Sequence, residues 1–173
     1  YSINGGQNWS AENTLDTLGF AASSPQVSVD RAPGNNVVAV WQQNNRIYSN
    51  DSQNGGQSWN GAQAIDDGSG IASSPQVAIY GLDAVVVWQQ DNDIYSNYST
   101  DGGATWNSAF AQPIDNSSGA ASSPQVAIYG NNVVAVWVQN DGANSIYSNC
   151  STDGGKTWGG AQYLELDNEP ASS

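Results

Sequence analysis

Apolar and polar positions along this chain follow the period of β-strands, and no segment shows a helical period. One kind of segment is continuously apolar and β-branched before it ends in tryptophan, which is typical of a strand buried on both faces. A second kind alternates after a Ser-Ser-Pro start, as a half-buried strand does. The first kind occupies residues 37–41, 84–88 and 133–137, and the second 25–30, 75–80 and 124–129. The chain is therefore predicted to be all-β.

Polar, glycine-rich turns recur four times between predicted strands, and each reads Ser-x-Asp/Asn-x-Gly-x-Ser/Thr/Asn-Trp. Asp and Asn side chains accept backbone N–H bonds in such turns, and glycine supplies the positive φ that they need. We number them box 1 (residues 2–9), box 2 (52–59), box 3 (99–106) and box 4 (151–158). Their motif residues, predicted to be structural, are Ser2, Asn4, Gly6, Trp9, Ser52, Asn54, Gly56, Trp59, Ser99, Asp101, Gly103, Trp106, Ser151, Asp153, Gly155 and Trp158.

The whole pattern repeats about every 50 residues, because the box tryptophans fall at 9, 59, 106 and 158. This period fits one four-stranded propeller blade. The boxes resemble the Asp-box, or BNR repeat, of sialidases and many other β-propellers. In that family the box joins the third and fourth strands of a blade, on the face opposite the active site. The resemblance implies a β-propeller built of four-stranded antiparallel blades.

The repeats divide the chain, as a single Asp-box region, into a partial blade (1–20) and three blades (21–70, 71–119 and 120–173). Three complete blades plus an orphan outer strand would leave two apolar faces open to water. We therefore expect the propeller to be completed by another copy, giving a homo-oligomer, or by a longer chain.

Charge and composition narrow the classes of partner. The net charge is −13, with three Lys/Arg, sixteen Asp/Glu and no His. So few cations make no basic patch for a nucleic acid, and no apolar run of about 18 residues predicts membrane insertion. The lack of His and of a Gly-rich phosphate loop leads us to expect no metal and no cofactor. The composition favours a secreted protein, extracellular or at the cell surface.

The resemblance to sialidases implies three arginines on the substrate carboxylate, a tyrosine nucleophile activated by Glu, and an Asp acid/base. This chain has only Arg31 and Arg46, at unrelated positions of the repeat, and its negative field would repel an anionic substrate. The chain is therefore predicted not to be an enzyme. Paired carboxylates leave a glycoside hydrolase, sialidase-like or otherwise, or a fragment of one, as an alternative.

Repeated polar loops on the face opposite the boxes form the candidate binding site. Amides and carboxylates beside aromatic rings suit hydrogen bonding to sugar hydroxyls. The hypothesis is therefore lectin-like, non-enzymatic glycan binding, and a scaffold for protein partners is a further alternative. Solvated loop carboxylates with no ligand are the simpler interpretation of the acidic positions. The candidate ligand residues are Asp16, Asp66, Asp115, Glu165, Gln43, Gln90 and Gln139.

Overall fold

The computed structural model describes residues 1–16, 19–30, 34–107, 111–116 and 119–164, and these form twelve strands and no helix. The strands make three antiparallel four-stranded sheets, blades A, B and C, in which consecutive strands are neighbours. Blade A contains β1 (Ala22–Val29), β2 (Val37–Gln43), β3 (Arg46–Ser52) and β4 (Gln63–Ala64); blade B contains β5 (Ala72–Tyr80), β6 (Asp83–Gln90), β7 (Asp93–Ser99) and β8 (Gln112–Pro113); blade C contains β9 (Ala121–Tyr129), β10 (Asn132–Asn140), β11 (Asn144–Ser151) and β12 (Gln162–Tyr163). The prediction of an all-β chain of four-stranded antiparallel blades is confirmed.

The second strand of each blade forms the core between blades. In β6, Val86 and Trp88 pack in the cluster shared with blade A, whereas Val87 packs in the cluster shared with blade C. All three side chains are fully buried. Burying each valine stabilises the fold by roughly 1.5–3 kcal/mol. A continuous apolar run is needed here because both faces of the strand lie in a core.

The first strand of each blade is longer than its alternating pattern predicts, because it also includes the Ser-Ser-Pro start. In β5 the ladder to β6 shifts between Ser73 and Gln76, which marks a β-bulge. The bulge residue Ser74 has a φ of 53°, and Ser24 and Ser123 in the other blades match it. Proline has no N–H to give the ladder, so the break falls beside it.

The fourth strand of each blade is only two residues long and forms the sheet edge. In blade B it contains Pro113, which a central strand would not tolerate. Short edges with proline reduce unwanted pairing to other chains.

Each blade has two ends with different turns. At one end, which we call the box face, the box lies beside the turn between the first two strands, as Gly102 N–H donates to Leu82 O at 2.8 Å. At the other end, the loop face, the turn between the second and third strands meets the connection that leads into the first strand. There Asp91 N–H donates to Ile71 O at 2.9 Å.

Residues 1–16 contain box 1 and form no strand, yet they lie where the outer part of a preceding blade would lie. Asn50 Nδ2 in blade A donates to Leu15 O at 3.1 Å. Blades B and C make the equivalent bonds across each blade junction, from Asn97 to Ile65 O at 2.9 Å and from Asn149 to Ile114 O at 2.8 Å.

Candidate functional site

The boxes are held by hydrogen bonds inside the motif. In box 3, Ser99 Oγ accepts from Gly103 N–H at 2.9 Å and donates to Asp101 Oδ1 at 2.7 Å, and Asp101 Oδ1 also accepts from Thr105 N–H at 2.8 Å. In box 1, Asn4 Oδ1 accepts from Asn8 N–H at 2.9 Å, so the amide replaces the carboxylate in this bond. Box 2 and box 4 repeat this pattern through Ser52, Asn54 and Gly56 and through Ser151, Asp153 and Gly155.

The carboxylates of the two Asp-containing boxes are stabilised in their ionised form. A hydrogen bond from the Thr157 hydroxyl, with its backbone N–H bond, lowers the pKa of Asp153 to about 2. Burial acts to raise the pKa of Asp101, but hydrogen bonds from Thr105 and Ser99 outweigh it and the pKa is lowered.

The box tryptophans differ in burial along the chain. Trp9 is 73% exposed, whereas Trp106 and Trp158 pack against the two cores between blades. Trp59, in box 2, is half-buried. The exposure of Trp9 follows from the position of box 1 at the open end of the array.

The three candidate glutamines are buried, and their side chains form hydrogen bonds with other residues of the protein. Each accepts a hydrogen bond from the indole two residues earlier, as Gln90 does from Trp88 Nε1 at 3.0 Å. Its amide nitrogen then donates to the connection from the preceding repeat, here to Asp67 Oδ1 at 3.0 Å and Ser69 Oγ at 3.1 Å. Gln43 and Gln139 have the same arrangement with Trp41 and Trp137. Their amides thus hold the loops of the loop face, and their role toward a ligand stays a prediction.

The candidate carboxylates occupy equivalent sequence positions but have different surroundings. Asp16 is half-buried and accepts from Gln43 Nε2 at 2.9 Å. In the other two connections the partner of the glutamine is the following residue, Asp67 or Asn116. Asp115 is half-buried, and Glu165 lies outside the described residues. A ligand role for these four carboxylates stays a prediction.

Asp66 is the most buried of these carboxylates, with a side chain that is 0% exposed. Arg46 Nε contacts its Oδ1 at 3.0 Å, and Arg46 Nη2 donates to its backbone oxygen at 3.1 Å. Its Oδ2 has no hydrogen-bond partner among the described residues. Burial raises the pKa of Asp66 and outweighs the opposing charge of Arg46.

The neighbouring Asp67 has the opposite shift. Burial acts to raise its pKa, but hydrogen bonds from the Ser69 backbone and hydroxyl and from Gln90 outweigh it, so the pKa is lowered. The pKa values of two adjacent carboxyl groups are thus shifted in opposite directions, as they are in acid and base pairs.

A pocket of about 410 Å³ lies at the junction of blades A and B, and we call it the A/B pocket. Its size is within the range of small-molecule sites. Its polar and aromatic lining residues are Asp66, Asp67, Asn97, Trp106 and Asn107, and of the two carboxyl groups only that of Asp67 belongs to an exposed residue. The sequence selected Asp66 but not Asp67, because the repeat aligns Asp66 and not Asp67 with Asp16 and Asp115, and it did not place Trp106 here because that residue comes from blade B.

A tyrosine in the third strand of each blade stacks on the buried tryptophan of the second strand. Trp88 and Tyr95 have ring centroids 6.3 Å apart and planes 24° apart, and the other blades match them. Burial raises the pKa of Tyr95, and Asp93 and Asp67 add to the shift. In blade C, the Tyr147 hydroxyl donates to Asp141 Oδ2 at 3.0 Å. The repeated Ile-Tyr-Ser-Asn segment was the signal for these tyrosines.

No group of three or more His, Cys, Asp or Glu side chains within the described ranges has the geometry to hold a metal ion. Among the same residues, none belongs to a helix with the length and apolar character that crossing a membrane requires.

Comparison with known proteins supports the repeat and the fold. The family described as BNR/Asp-box repeat matches residues 98–108, and no curated protein sequence matches the chain. An alpha-L-arabinanase from Penicillium chrysogenum, solved with arabinobiose, is similar in structure, with a TM-score of 0.61 and 15% identity over 87% of this chain and 52% of that one. A Hadza microbial sialidase is also similar, with a TM-score of 0.55 and 13% identity over 84% of this chain and 38% of that one. Trypanosoma rangeli sialidase has a TM-score of 0.52 and 13% identity over 85% of this chain and 32% of that one.

The chain spans about half the length of the arabinanase and less of the two sialidases. All three are enzymes, so the prediction that this chain is not an enzyme was wrong. The chain corresponds to only part of such proteins, so the catalytic groups within it are not those of a whole propeller. The three similar structures support the propeller fold that the three blades indicate.

Proposed function

We propose that this chain, whose BNR/Asp-box repeat and propeller fold are similar to those of sialidases, binds a neutral glycan in the manner of a lectin, within a carbohydrate-active propeller. The observation that carries the proposal is the A/B pocket, where the exposed Asp67 carboxylate, amides and an indole meet at a blade junction. Such groups bind sugar hydroxyls and stack on sugar rings. The proposal includes the secreted location that the composition favours.

The charge of the pocket favours a neutral glycan over an acidic one. Asp67 is exposed and its lowered pKa keeps it ionised, so it is an accessible acceptor for hydroxyl groups. Arg46 is already paired with the pocket residue Asp66. An anionic sugar would meet a net repulsive field here.

Oligosaccharide binding to the full chain, measured by calorimetry, tests the proposal. Arabinobiose and longer neutral oligosaccharides are the probes, and sialyllactose is the acidic comparator. Asp67→Asn keeps the acceptor for Gln90 but removes the charge, and we expect it to weaken neutral-sugar binding about tenfold, since a charge-assisted hydrogen bond contributes roughly 1.5–3 kcal/mol.

Asp101→Asn is the matched control, because it makes the same change in a box that already has Asn counterparts. It should bind sugars as the unchanged chain does. Absence of binding to every neutral probe at millimolar concentration would refute the proposal, as would an Asp67→Asn variant with unchanged affinity.

Glycoside hydrolysis is the second candidate, and the opposite pKa shifts of Asp66 and Asp67 favour it. This reaction uses a carboxylic acid and a carboxylate, and the raised pKa of Asp66 beside the lowered pKa of Asp67 is the direction in which such a pair differs. Release of reducing sugar from the same probes should then stop in both Asp66→Asn and Asp67→Asn and persist in Asp101→Asn. Binding without turnover would leave the first candidate and remove this one.

A further inference from the structure

Box 3 and box 4 are each seated on the preceding blade through their second glycine. A Cβ added at Gly103 of box 3 would lie 2.6 Å from Val38 Cγ2 and 3.4 Å from Asp51 Cβ in blade A. Val38 is fully buried in this contact. The seat therefore has room for glycine and for no larger residue.

Box 4 is seated on blade B in the same way. A Cβ at Gly155 would lie 2.8 Å from Val85 Cγ2 and 3.7 Å from Tyr98 Cβ. The seat thus uses the same two strand positions in both blades, a valine of the second strand and the residue just before the box serine.

An outer-strand glutamine adds a polar contact to each seat. Gln63 Nε2 donates to the carbonyls of Gly103 and Ala104, both at 3.1 Å. Gln112 Nε2 donates to Gly155 O at 3.4 Å and to Lys156 O at 3.1 Å. We call this set of three positions a box socket: the second-strand valine, the residue before the box serine and the outer-strand glutamine.

Blade C has the same three positions, and they are exposed. They are Val134, Cys150 and Gln162. Val134 is 42% exposed, whereas its equivalents Val38 and Val85 are 0% exposed. Further along β11, Ile146 is 36% exposed, whereas its equivalents Ile47 and Ile94 are fully buried. Blade C therefore presents an open box socket.

Box 1 is the complementary element. A Cβ at Gly6 would meet only Trp9 of its own box, at 3.8 Å, and one at Gly5 would meet nothing within 4 Å. In box 2, by contrast, Gly56 lies against Tyr1. Of the four boxes, all within the described residues, box 1 is the one whose second glycine faces no other segment.

We infer that the open socket of blade C binds box 1 of a second copy of this chain. Gly6 of one copy lies on Val134 and Cys150 of the other, and Gln162 donates to the carbonyls of the box turn. Among the described residues, box 1 has no socket and the socket of blade C has no box, and the two lie at opposite ends of the array, so the contact is head-to-tail and extends to further copies or closes into a ring.

The test is the solution mass over a concentration series, by sedimentation or light scattering. We expect the mass to rise above the 18.1 kDa of one chain as concentration increases. Gly6→Ala should remain at the mass of one chain, because its Cβ would collide with Val134. Gly5→Ala is matched in its left-handed φ (68° against 84°) and should associate as the unchanged chain does.

The native Cys150 gives a second readout that needs no substitution. Its reaction with a maleimide should slow as association covers the thiol, and prior alkylation should keep the chain at the mass of one copy. A chain that sediments at 18.1 kDa at every concentration overturns the inference. Association of Gly6→Ala equal to that of Gly5→Ala, with circular dichroism confirming that both are folded, also overturns it.

Discussion

The box face and the loop face come from the same repeats, yet their copies differ in how closely they agree. In the boxes, the serine Oγ accepts from the second glycine N–H at 2.9 Å in all four copies. On the loop face, the amide of the buried glutamine donates to Asp16 in blade A, to Asp67 in blade B and to Asn116 in blade C. The box bonds join residues at most four positions apart, whereas the loop bonds join residues 23 to 27 apart. Short-range bonds therefore repeat with the motif, and long-range bonds follow the conformation of each loop.

This difference separates a constant face from a variable one. The box face is fixed by geometry within eight residues and by the seat on the preceding blade. The loop face keeps a constant scaffold of tryptophan and glutamine but changes the groups that it presents. Many binding proteins combine a rigid scaffold with loops that differ in sequence and carry the binding residues.

The largest expected effect tests the seat of the boxes. Gly103→Ala should lower the free energy of unfolding by about 3 kcal/mol, since a left-handed φ of 94° strains alanine and its Cβ would lie 2.6 Å from Val38. Gly6→Ala has a similar φ but no close neighbour beyond its own box, and should cost about 1 kcal/mol. Urea unfolding at low protein concentration measures both, and equal losses would mean that the seat contributes nothing.

A smaller effect tests the scaffold of the loop face. Gln90→Leu leaves the Trp88 indole N–H buried without its acceptor and should cost about 2 kcal/mol. Gln89→Leu, at the neighbouring position that is only half-buried, should change stability by about 0.5 kcal/mol or less. If the two variants unfold at the same urea concentration, the indole has found another partner and the scaffold is not specific.

The smallest effect compares Asp-containing with Asn-containing boxes through pH. The folded pKa of Asp153 is about 2, below its ordinary value of 3.8, so its stabilising contribution is complete above about pH 4. That contribution is lost as the pH falls through 2, where the carboxylate becomes protonated in the folded state. Asp153→Asn should therefore lose less stability than the unchanged chain between pH 5 and 2.5, as measured by the urea midpoint at each pH. If both proteins lose the same stability over this pH range, the box carboxylate is not responsible for the pH dependence.

The buried strand and the box turns could be predicted from the sequence, because each depends on residues that are close together in the chain. The 84–88 run predicted the buried β6, and the Ser-x-Asp-x-Gly pattern predicted turns that close on themselves. The bulge at Ser74 was not predictable in the same way, because Ser-Ser-Pro alone resembles the end of a turn. Its continuation of the strand depends on pairing with β6.

The sequence by itself determined the all-β class, the four boxes, the 50-residue repeat and the buried tryptophans, since each follows from local periodicity or turn chemistry. Only the tertiary structure decided that Gln90 is buried against Trp88, that Asp66 and Asp67 share a pocket with Trp106, and that Gly103 is seated on Val38. These contacts join separate blades or distant parts of one repeat. They depend on how strands stack and where loops cross a junction, which short-range patterns do not encode.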